Sequence, residues 1–384
     1  HSIGPSAHEP GARWRVLLAW RSCTLVERPC HSLRMARGNI VTSRSLWRLE
    51  FFVVSLLFHL IFTWSIFDVY FHSPVVYPSR RFDAANAVPD APWTGDAPAD
   101  RLVLIVADGL RADTLFQRHA TASLPSWAQH AVQGDQLVYN GTYPDAFKRT
   151  KTVDGQVSGP LYAYAAPYLR SIARGPGVFG VSHTRVPTES RPGHVALIAG
   201  MYEDMSAVTK GWKINPLAFD SLVNQSSHSY AYGSPDIVPM FVLGTSPDKV
   251  DWQVYNEEAE DFTKDAVELD TWVLHRMRDV FARAQRDPKA DARLRQPKTL
   301  FFMHLLGLDT TGHTYRPMSP EYVGNTIVVD EIVRQVSHLF EDFYGDNKTA
   351  FLVTADHGMS RKGNHGDGDP DNTCLLYTSP SPRD

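Results

Sequence analysis

The sequence predicts an α/β fold, a sandwich of helices around a mostly parallel β-sheet, preceded by one N-terminal transmembrane helix. Continuous apolar runs of strand length recur between residues 102 and 354, as expected for parallel strands that are buried on both faces. Segments with helical spacing of apolar residues lie between these runs, and this alternation is typical of α/β proteins. The apolar stretch at residues 46–71 is long enough for a membrane-spanning helix, which needs ~20 residues.

The composition is that of a globular protein and argues against two other classes. Of the 384 residues, 43% are hydrophobic and 21% are charged, which argues against a disordered chain. The formal net charge of -4 gives no reason to expect nucleic acid as a partner. The cysteines are Cys23, Cys30 and Cys374. We therefore expect no disulfide to hold together the domain that follows the membrane segment.

The membrane segment is best explained as a signal-anchor. Its central run, F-F-V-V-S-L-L-F-H-L-I-F-T-W-S-I-F, contains only His59 as a strongly polar residue, and Arg37, Arg44 and Arg48 precede it. The positive-inside rule then places the N-terminus in the cytoplasm and the rest of the chain in the lumen. A cleaved signal peptide fits less well, because the segment has no obvious small-residue cleavage site. A buried core helix also fits less well, because such a helix would normally carry a polar face.

The flanking segments differ in composition from the luminal domain, which we place at residues 101–373. We expect residues 1–45 to be a cytoplasmic or non-native leader, with Met35 as a candidate start. Five prolines in residues 72–100 predict an extended stalk. The last residues, 374–384, bear no relation to the domain before them. We expect them to be an artefactual tail on a truncated domain.

The luminal domain begins with the apolar strand L-V-L-I-V-A-D at Leu102–Asp108. Apolar residues recur at helical spacing over residues 260–283, which predicts a helix there. The other predicted strands are Gly177–Val181, Ser229–Gly233, Thr299–Leu306 and Ala350–Thr354.

Three N-glycosylation sequons follow the membrane segment, at Asn140, Asn224 and Asn347. All three lie on the side that the charge rule assigns to the lumen. The sequence therefore predicts a glycoprotein.

Acidic and histidine side chains follow several of the predicted strands. Asp108 ends the first strand, Asp309 and His313 follow the strand at residues 299–306, and Asp356 and His357 follow the last one. Ligands of α/β proteins bind at the carboxyl ends of the strands, so these side chains are expected to meet at one edge of the sheet.

A further histidine, His365, lies in the glycine-rich segment G-N-H-G-D-G-D, which can fold back toward the same edge. Taken singly, the candidates have ordinary alternatives, since Asp108 or Asp309 could cap a helix and His365 could be exposed. Together, three Asp and three His divide into two three-ligand sites for metals ~4 Å apart, an arrangement that suits phosphoryl displacement. The ligand types favour Zn²⁺ or Mn²⁺ over Mg²⁺ or Ca²⁺.

The nucleophile is expected in the segment R-V-P-T-E-S-R-P-G-H. A strand is predicted to end near Val186 and a helix to begin near Pro192, because proline is favoured in the first helical turn. A hydroxyl ahead of a helix N-terminus meets free N–H groups that can hold a phosphate. Ser190 and Thr188 both qualify, and either could instead be a simple helix cap.

These motifs resemble those of the alkaline phosphatase superfamily, and in their order they are most similar to its GPI ethanolamine phosphate transferases. The resemblance covers roughly residues 45–373. It is carried by S-I-F-D-V-Y-F-H-S-P, V-A-D-G-L-R-A-D, H-T-R-V-P-T-E-S-R-P-G-H, G-S-P-D-I-V-P-M-F, L-L-G-L-D-T-T-G-H and H-G-D-G-D-P-D-N-T.

The resemblance implies an alkaline-phosphatase-like sandwich with two divalent metal ions. It assigns the metal ligands to two sites, the nucleophile-side site with Asp108, Asp356 and His357 and the other site with Asp309, His313 and His365. It favours Ser190 over Thr188 as the nucleophile. The family continues past D-N-T with more domain sequence and many membrane spans, so the chain is expected to be an N-terminal fragment.

The activity that the resemblance implies is transfer of phosphoethanolamine through a covalent phospho-enzyme. The donor would be phosphatidylethanolamine and the acceptor the first mannose of the GPI anchor precursor, at the endoplasmic reticulum membrane with the catalytic domain in the lumen. One alternative is a membrane-anchored nucleotide pyrophosphatase/phosphodiesterase, which would release nucleoside monophosphate from a nucleotide diester. The other is a non-catalytic luminal scaffold, which would bind no metal at near-stoichiometric level.

Overall fold

The computed structural model describes residues 39–71, 97–120, 162–202, 220–243, 245–260 and 266–380. The helices are α1 Asn39–Phe71, α2 Ala112–Phe116, α3 Pro167–Arg174, α4 Ser190–Ala199, α5 Leu222–Gln225, α6 Val238–Val242, α7 Val267–Ala284, α8 Pro288–Leu294, α9 Gly307–Tyr315, α10 Pro320–Tyr344 and α11 Pro370–Thr373. The strands are β1 Arg101–Ala107, β2 Arg118–Ala120, β3 Tyr162–Tyr164, β4 Gly177–His183, β5 His228–Gly233, β6 Val250–Val254, β7 Thr299–Leu305, β8 Thr349–Thr354 and β9 Cys374–Pro380.

Helix α1 contains the predicted membrane segment. Its residues Leu46–Asp68 form a stretch of 23 residues with a mean hydropathy of 1.9, and none of the most apolar window is buried. By length and composition this helix can cross a membrane, which agrees with the predicted single N-terminal span. Most of the predicted leader and of the Pro-rich stalk lies outside the described residues.

A seven-stranded sheet forms the centre of the domain that follows α1 in the sequence, in the order β4-β9-β8-β1-β7-β5-β6. The strands β8, β1, β7, β5 and β6 are parallel. Strand β9 is antiparallel to both of its neighbours. The prediction of an α/β fold around a mostly parallel sheet is therefore confirmed. A separate two-stranded antiparallel sheet pairs β2 with β3.

The side chains of β1 alternate between two hydrophobic clusters, one on each face of the sheet. Val103 and Ile105 belong to the cluster that also contains buried residues of α7 and α10. Leu104 and Val106 belong to the cluster that contains residues of α4 and α6. This alternation follows from the two-residue period of a strand. Burial of each such side chain contributes about 1.5–3 kcal/mol, so the central strands fix the edge that carries the functional groups.

The helices on the first face show how local sequence determines their ends. The predicted helix at 260–283 corresponds to α7, and residues 261–265 lie outside the described part of the chain. The longest helix among the described residues of this domain is α10, which lies between the predicted strands at 299–306 and 350–354. Ser319 caps its N-terminus by accepting a hydrogen bond from the Tyr322 N–H, and Gly345 ends it in the left-handed conformation. Buried Asp330 in α10 accepts hydrogen bonds from two N–H groups at the start of α3, which ties the two helices together.

Two predictions about the sheet differ from the structure. The run Gly177–Val181 does form a strand, but β4 is an antiparallel edge strand, and Val178, Phe179 and Val181 are all more than half exposed. The tail was expected to be unrelated to the domain, yet Cys374–Pro380 form β9 between β4 and β8. The artefactual origin of the tail stays a prediction.

The sequons differ in exposure. Asn347 is exposed after α10, Asn224 is partly buried in α5, and Asn140 lies outside the described residues. Glycosylation at these sites stays a prediction.

Candidate metal centre and nucleophile

The predicted ligands meet at the carboxyl edge of three adjacent strands, β8, β1 and β7. Asp108 directly follows β1, and Asp356 and His357 follow β8. Asp309 and His313 lie on α9, one helical turn apart, immediately after β7. Because parallel strands end at the same edge, the sheet itself brings these three segments together.

Gly109 allows the segment after β1 and the segment after β7 to approach each other closely. Its φ of +70° is left-handed, and a Cβ placed there would lie 3.1 Å from the Asp309 Cα. Only glycine fits both conditions without strain. The glycine after Asp108 is therefore a requirement of the site.

Asp108, Asp356 and His357 form a buried group, the nucleophile-side set. The His357 Nε2 lies 3.2 Å from the Asp108 Oδ1 and 3.5 Å from the Asp356 Oδ2. The exposed fraction of each side chain is at most 1%. The Ser190 Oγ lies 3.2 Å from the same His357 Nε2, so the predicted nucleophile adjoins this set.

Asp309, His313 and His365 form the second set. The His313 Nε2 lies 3.0 Å from the His365 Nε2 and 3.4 Å from the Asp309 Oδ2, and the His365 Nε2 lies 3.5 Å from the Asp309 Oδ1. The rings of His365 and His357 stack with their centroids 3.9 Å apart, so the two sets are contiguous. The six side chains predicted as ligands thus lie together at this edge of the sheet, and ligand atoms of Asp309, His357 and His365 also lie within 4.8 Å of one another. Their division between two metal ions stays a prediction.

The three histidines share one orientation. Each points its Nδ1 at a backbone carbonyl oxygen, which can only accept a hydrogen bond, so each Nδ1 carries the hydrogen. In its neutral form, each ring would then present an unprotonated Nε2 to the carboxylates, as metal-ligating histidines do. The three bonds are His357 to Gly358 O at 2.8 Å, His313 to Gly363 O at 2.9 Å, and His365 to Thr188 O at 2.8 Å.

The carboxylates of the two sets have buried oxygens that are available to hold cations. Within the described part of the chain, Asp108 Oδ1, Asp309 Oδ1 and both carboxylate oxygens of Asp356 are buried without a hydrogen-bond partner. Burial lowers the pKa of His357, but the Asp356, Asp108 and Asp309 carboxylates outweigh it and raise this pKa to about 9. Such a concentration of buried negative charge fits divalent cations, which would supply the missing partners.

Ser190 and Thr188 occupy different environments. The Thr188 hydroxyl donates to the Asp367 carbonyl and accepts from the Gly366 N–H, both at 2.8 Å, and the residue is fully buried. Its hydroxyl therefore ties α4 to the segment that carries His365. Ser190 is the first residue of α4, and its hydroxyl faces the nucleophile-side set.

Sequence reasoning missed two buried histidines next to the nucleophile-side set. The His304 Nε2 lies 3.0 Å from the Asp108 Oδ2. The His194 Nδ1 lies 2.7 Å from the Ser190 carbonyl oxygen and 3.3 Å from the Asp356 Oδ2. His304 is embedded in an apolar strand and His194 in a helix, where an isolated histidine gives little signal. The spacing of His194 four residues after Ser190 was the one available indication.

Arg111 links the segment after β1 to the segment that carries His365. Its buried guanidinium forms ion pairs with Asp113 at 2.7 Å and with Asp371 at 3.1 Å, and donates to the Met359 carbonyl. Burial lowers the pKa of Arg111, but the hydrogen bonds and charges of both carboxylates outweigh it and raise the pKa. This network anchors both ends of the segment that follows His357.

The chain is similar in sequence to known proteins that share one name. GPI ethanolamine phosphate transferase 1 of Aspergillus oryzae is 52% identical over 326 residues, which are 85% of this chain and 29% of that protein. The protein of the same name from Saccharomyces cerevisiae is 44% identical over 327 residues, or 85% of this chain and 31% of that protein. The chain therefore spans about three tenths of the length of these relatives.

A solved structure, the C-terminal periplasmic domain of EcEptC from Escherichia coli, matches with a TM-score of 0.40 and 13% identity, covering 74% of this chain and 72% of that one. This likeness is too remote to support an inference. Residues 152–367, more than half of the chain, match the family described as Type I phosphodiesterase / nucleotide pyrophosphatase. With the similarity to the transferases over 85% of its length, this match shows that the chain belongs to the Type I phosphodiesterase / nucleotide pyrophosphatase family.

Proposed function

We propose that this chain is part of an enzyme that transfers phosphoethanolamine from phosphatidylethanolamine to the first mannose of the GPI anchor precursor. The name of its relatives, at 44–52% identity, supports the reaction class. The nucleophile-side set, whose ligand atoms lie within 4.8 Å of one another, and the second set, in which the His313 and His365 Nε2 atoms lie 3.0 Å apart, support a centre with two divalent metal ions. Mixed carboxylate and imidazole ligands favour Zn²⁺, with Mn²⁺ as the alternative.

The observation that carries the proposal is the position of Ser190. Its Oγ lies 3.2 Å from the His357 Nε2, at the first residue of α4. The N–H groups in the first turn of a helix have no partner within the helix and favour a phosphate group. A phosphodiester next to Ser190 would therefore meet both the helix N-terminus and the two ligand sets.

The proposed reaction has two steps, which are linked by a covalent intermediate on Ser190. The Ser190 Oγ forms a bond to the phosphorus of phosphatidylethanolamine, the bond from phosphorus to the glycerol oxygen breaks, and diacylglycerol leaves with the proton lost by Ser190. A mannose hydroxyl then bonds to the phosphorus, the bond to the Ser190 Oγ breaks, and the mannose proton restores the serine. Metal ions bound by the six ligands would lower the pKa of the attacking hydroxyl and neutralise the phosphoryl oxygens.

The location follows from the nature of both substrates. Donor and acceptor are lipids, so an enzyme tethered by a membrane helix meets them at the bilayer surface. The candidate span Leu46–Asp68 and the GPI-related relatives support an endoplasmic reticulum membrane protein. The basic residues Arg37, Arg44 and Arg48 support a luminal domain.

Trapping of the covalent intermediate tests the proposal. The chain in detergent micelles, supplied with Zn²⁺ and phosphatidylethanolamine labelled in its ethanolamine group, should acquire the label on the peptide that contains Ser190. The variant Ser190→Ala should acquire none, while Thr188→Ser should be labelled like the wild type. Full labelling of Ser190→Ala would overturn the assignment of the nucleophile.

A second candidate function is suggested by the family match itself, whose description includes nucleotide pyrophosphatases. Such an enzyme would use the same nucleophile and metals on a soluble nucleotide diester. Release of nucleoside monophosphate, without label transfer from phosphatidylethanolamine, would favour this function over the transferase.

A further inference from the structure

His304 is a buried histidine that the proposed reaction does not use. It lies near the end of β7, directly before Leu305, and its side chain is fully buried. Its Nε2 is 3.0 Å from the Asp108 Oδ2. An ionised carboxylate can only accept a hydrogen bond, so this contact requires the hydrogen to be on Nε2.

The other nitrogen of the ring agrees with this tautomer. The backbone N–H of Ser234 donates to the His304 Nδ1 at 3.4 Å, so Nδ1 must be unprotonated. Gly233 permits the approach, because a Cβ there would lie 2.5 Å from the His304 Cβ and 2.9 Å from the His304 carbonyl oxygen. Gly233, which ends β5, and Ser234, which follows it, thus hold the ring and set its tautomer.

The hydrogen bond from His304 gives the two carboxylate oxygens of Asp108 different surroundings. Oδ2 is occupied by His304, whereas Oδ1 is buried, without a hydrogen-bond partner in the described part of the chain, and lies 3.2 Å from the His357 Nε2. The carboxylate is therefore rotated so that its free oxygen faces the nucleophile-side set.

His194 has a similar relation to the other carboxylate of this set. Its Nδ1 donates to the Ser190 carbonyl oxygen at 2.7 Å and lies 3.3 Å from the Asp356 Oδ2. The rings of His194 and His304 are perpendicular, with centroids 4.7 Å apart. The two histidines thus pack against each other beside Asp108 and Asp356.

The same residues admit one competing explanation, a third metal site. Ligand atoms of Asp108, His194 and His304 lie within 4.8 Å of one another. A metal bound at the His304 Nε2 would require this nitrogen to be unprotonated and Nδ1 to carry the hydrogen. The Ser234 N–H points at Nδ1, so that tautomer would place two donors against each other. The geometry therefore favours His304 as a hydrogen-bond donor to Asp108 over His304 as a metal ligand.

We propose that His304 is a positioning residue, which sets the metal affinity of the nucleophile-side site by holding Asp108 in its ligating orientation. The proposal rests on the metal centre of the proposed function and is independent of the substrate. Partners that orient metal ligands in this way typically change metal affinity 10- to 100-fold when they are removed.

Zinc affinity of the full chain, measured by competition with a chromogenic chelator, tests this proposal in a set of His304 variants. His304→Gln places an amide N–H near the position of Nε2–H, whereas His304→Asn reaches only to the position of Nδ1 and His304→Leu has no donor. We expect one of the two zinc dissociation constants, that of the nucleophile-side site, to change about threefold or less for Gln and to rise 10- to 100-fold for Asn and Leu. The amount of zinc bound at saturation should stay the same in all three.

His228→Asn is the matched control, because His228 is also a buried histidine of this sheet but lies at the start of β5. It should leave zinc affinity unchanged even where it lowers the melting temperature. If His304→Leu does not fold, the comparison of Gln with Asn carries the test alone.

Three outcomes would overturn the proposal. Equal affinities of the Gln, Asn and Leu variants and the wild type would exclude a positioning role but leave the metal centre intact. Loss of one zinc ion at saturation would make His304 a ligand. A wild-type chain that binds no zinc would remove the proposed metal centre, and this inference with it.

Discussion

The Nε2 atoms of His313 and His365 lie 3.0 Å apart and both face the carboxylate of Asp309. Each ring donates its Nδ1 hydrogen to a backbone carbonyl, so in the neutral rings two nitrogen lone pairs point at each other. This arrangement is repulsive by itself and becomes favourable with a cation between the rings. The second set therefore has the form of a metal site.

We predict that His365→Ala reduces the zinc bound at saturation by about one ion per chain, because a site of three protein ligands would keep only two. His313→Ala should have the same effect. Elemental analysis of the dialysed protein measures this loss. His338→Ala, at an exposed histidine of α10, is the control and should bind as much zinc as the wild type. Unchanged zinc content of both site variants would contradict the assignment.

A second prediction concerns Thr188. Thr188→Val removes the hydroxyl that bonds to the Gly366 N–H and the Asp367 carbonyl, and it leaves both groups without that partner. We expect the free energy of unfolding to fall by about 1–3 kcal/mol. Thr188→Ser keeps the hydroxyl and should lose less. Urea denaturation measures both. A Val variant as stable as the wild type would show that these bonds contribute nothing.

The position of most candidate ligands at one edge of the sheet was predictable because they follow apolar runs in the sequence. Asp108, Asp309, Asp356 and His357 each come just after a strand, and the carboxyl ends of parallel strands meet by geometry. His304 lies inside such a run. A strand that is buried on both faces has no polar alternation, so the sequence does not reveal that residue 304 faces Asp108.

The order of the strands could not be predicted for a related reason. The apolar run at 177–181 looks like a central strand, but its place at the edge depends on pairing with β9, almost 200 residues away in the chain. Such pairing is decided by long-range packing that local composition does not encode. The same holds for Cys374–Pro380, whose sequence lacks the pattern of a buried strand.

Gly193 provides a prediction about the packing of α4 against the segment after β8. A Cβ at this position would lie 2.7 Å from the Asp356 carbonyl oxygen and 2.9 Å from the Asp356 Cβ. Alanine favours a helix over glycine by up to about 1 kcal/mol, but the clash is with backbone that cannot move freely. We expect Gly193→Ala to lower the free energy of unfolding by about 1–3 kcal/mol and to weaken zinc binding through Asp356.

Gly180→Ala is the control for this substitution. The structure describes no atom within 4 Å of a Cβ at Gly180, which lies in β4. Thermal denaturation and zinc titration should therefore show lower stability and weaker zinc binding for Gly193→Ala than for Gly180→Ala. Equal stability and equal zinc affinity of Gly193→Ala and the wild type would contradict the close contact between α4 and Asp356.

His228 makes the stability of the domain depend on pH. Burial and the charge of Arg293 lower its pKa from 6.5 to about 4. Between these two values the unfolded chain binds more protons at this position than the folded chain does, so the free energy of unfolding decreases as the pH falls. The contribution of His228 is complete above pH 6.5 and is lost progressively toward pH 4.

Urea denaturation of the wild type and of His228→Asn at several pH values measures this contribution of His228 to the free energy of unfolding. The difference between the two proteins reports on His228, because they share all other titrating groups. We expect the wild type to lose more stability than the variant between pH 6.5 and 4. Parallel curves for the two proteins would show that His228 titrates alike in the folded and unfolded states.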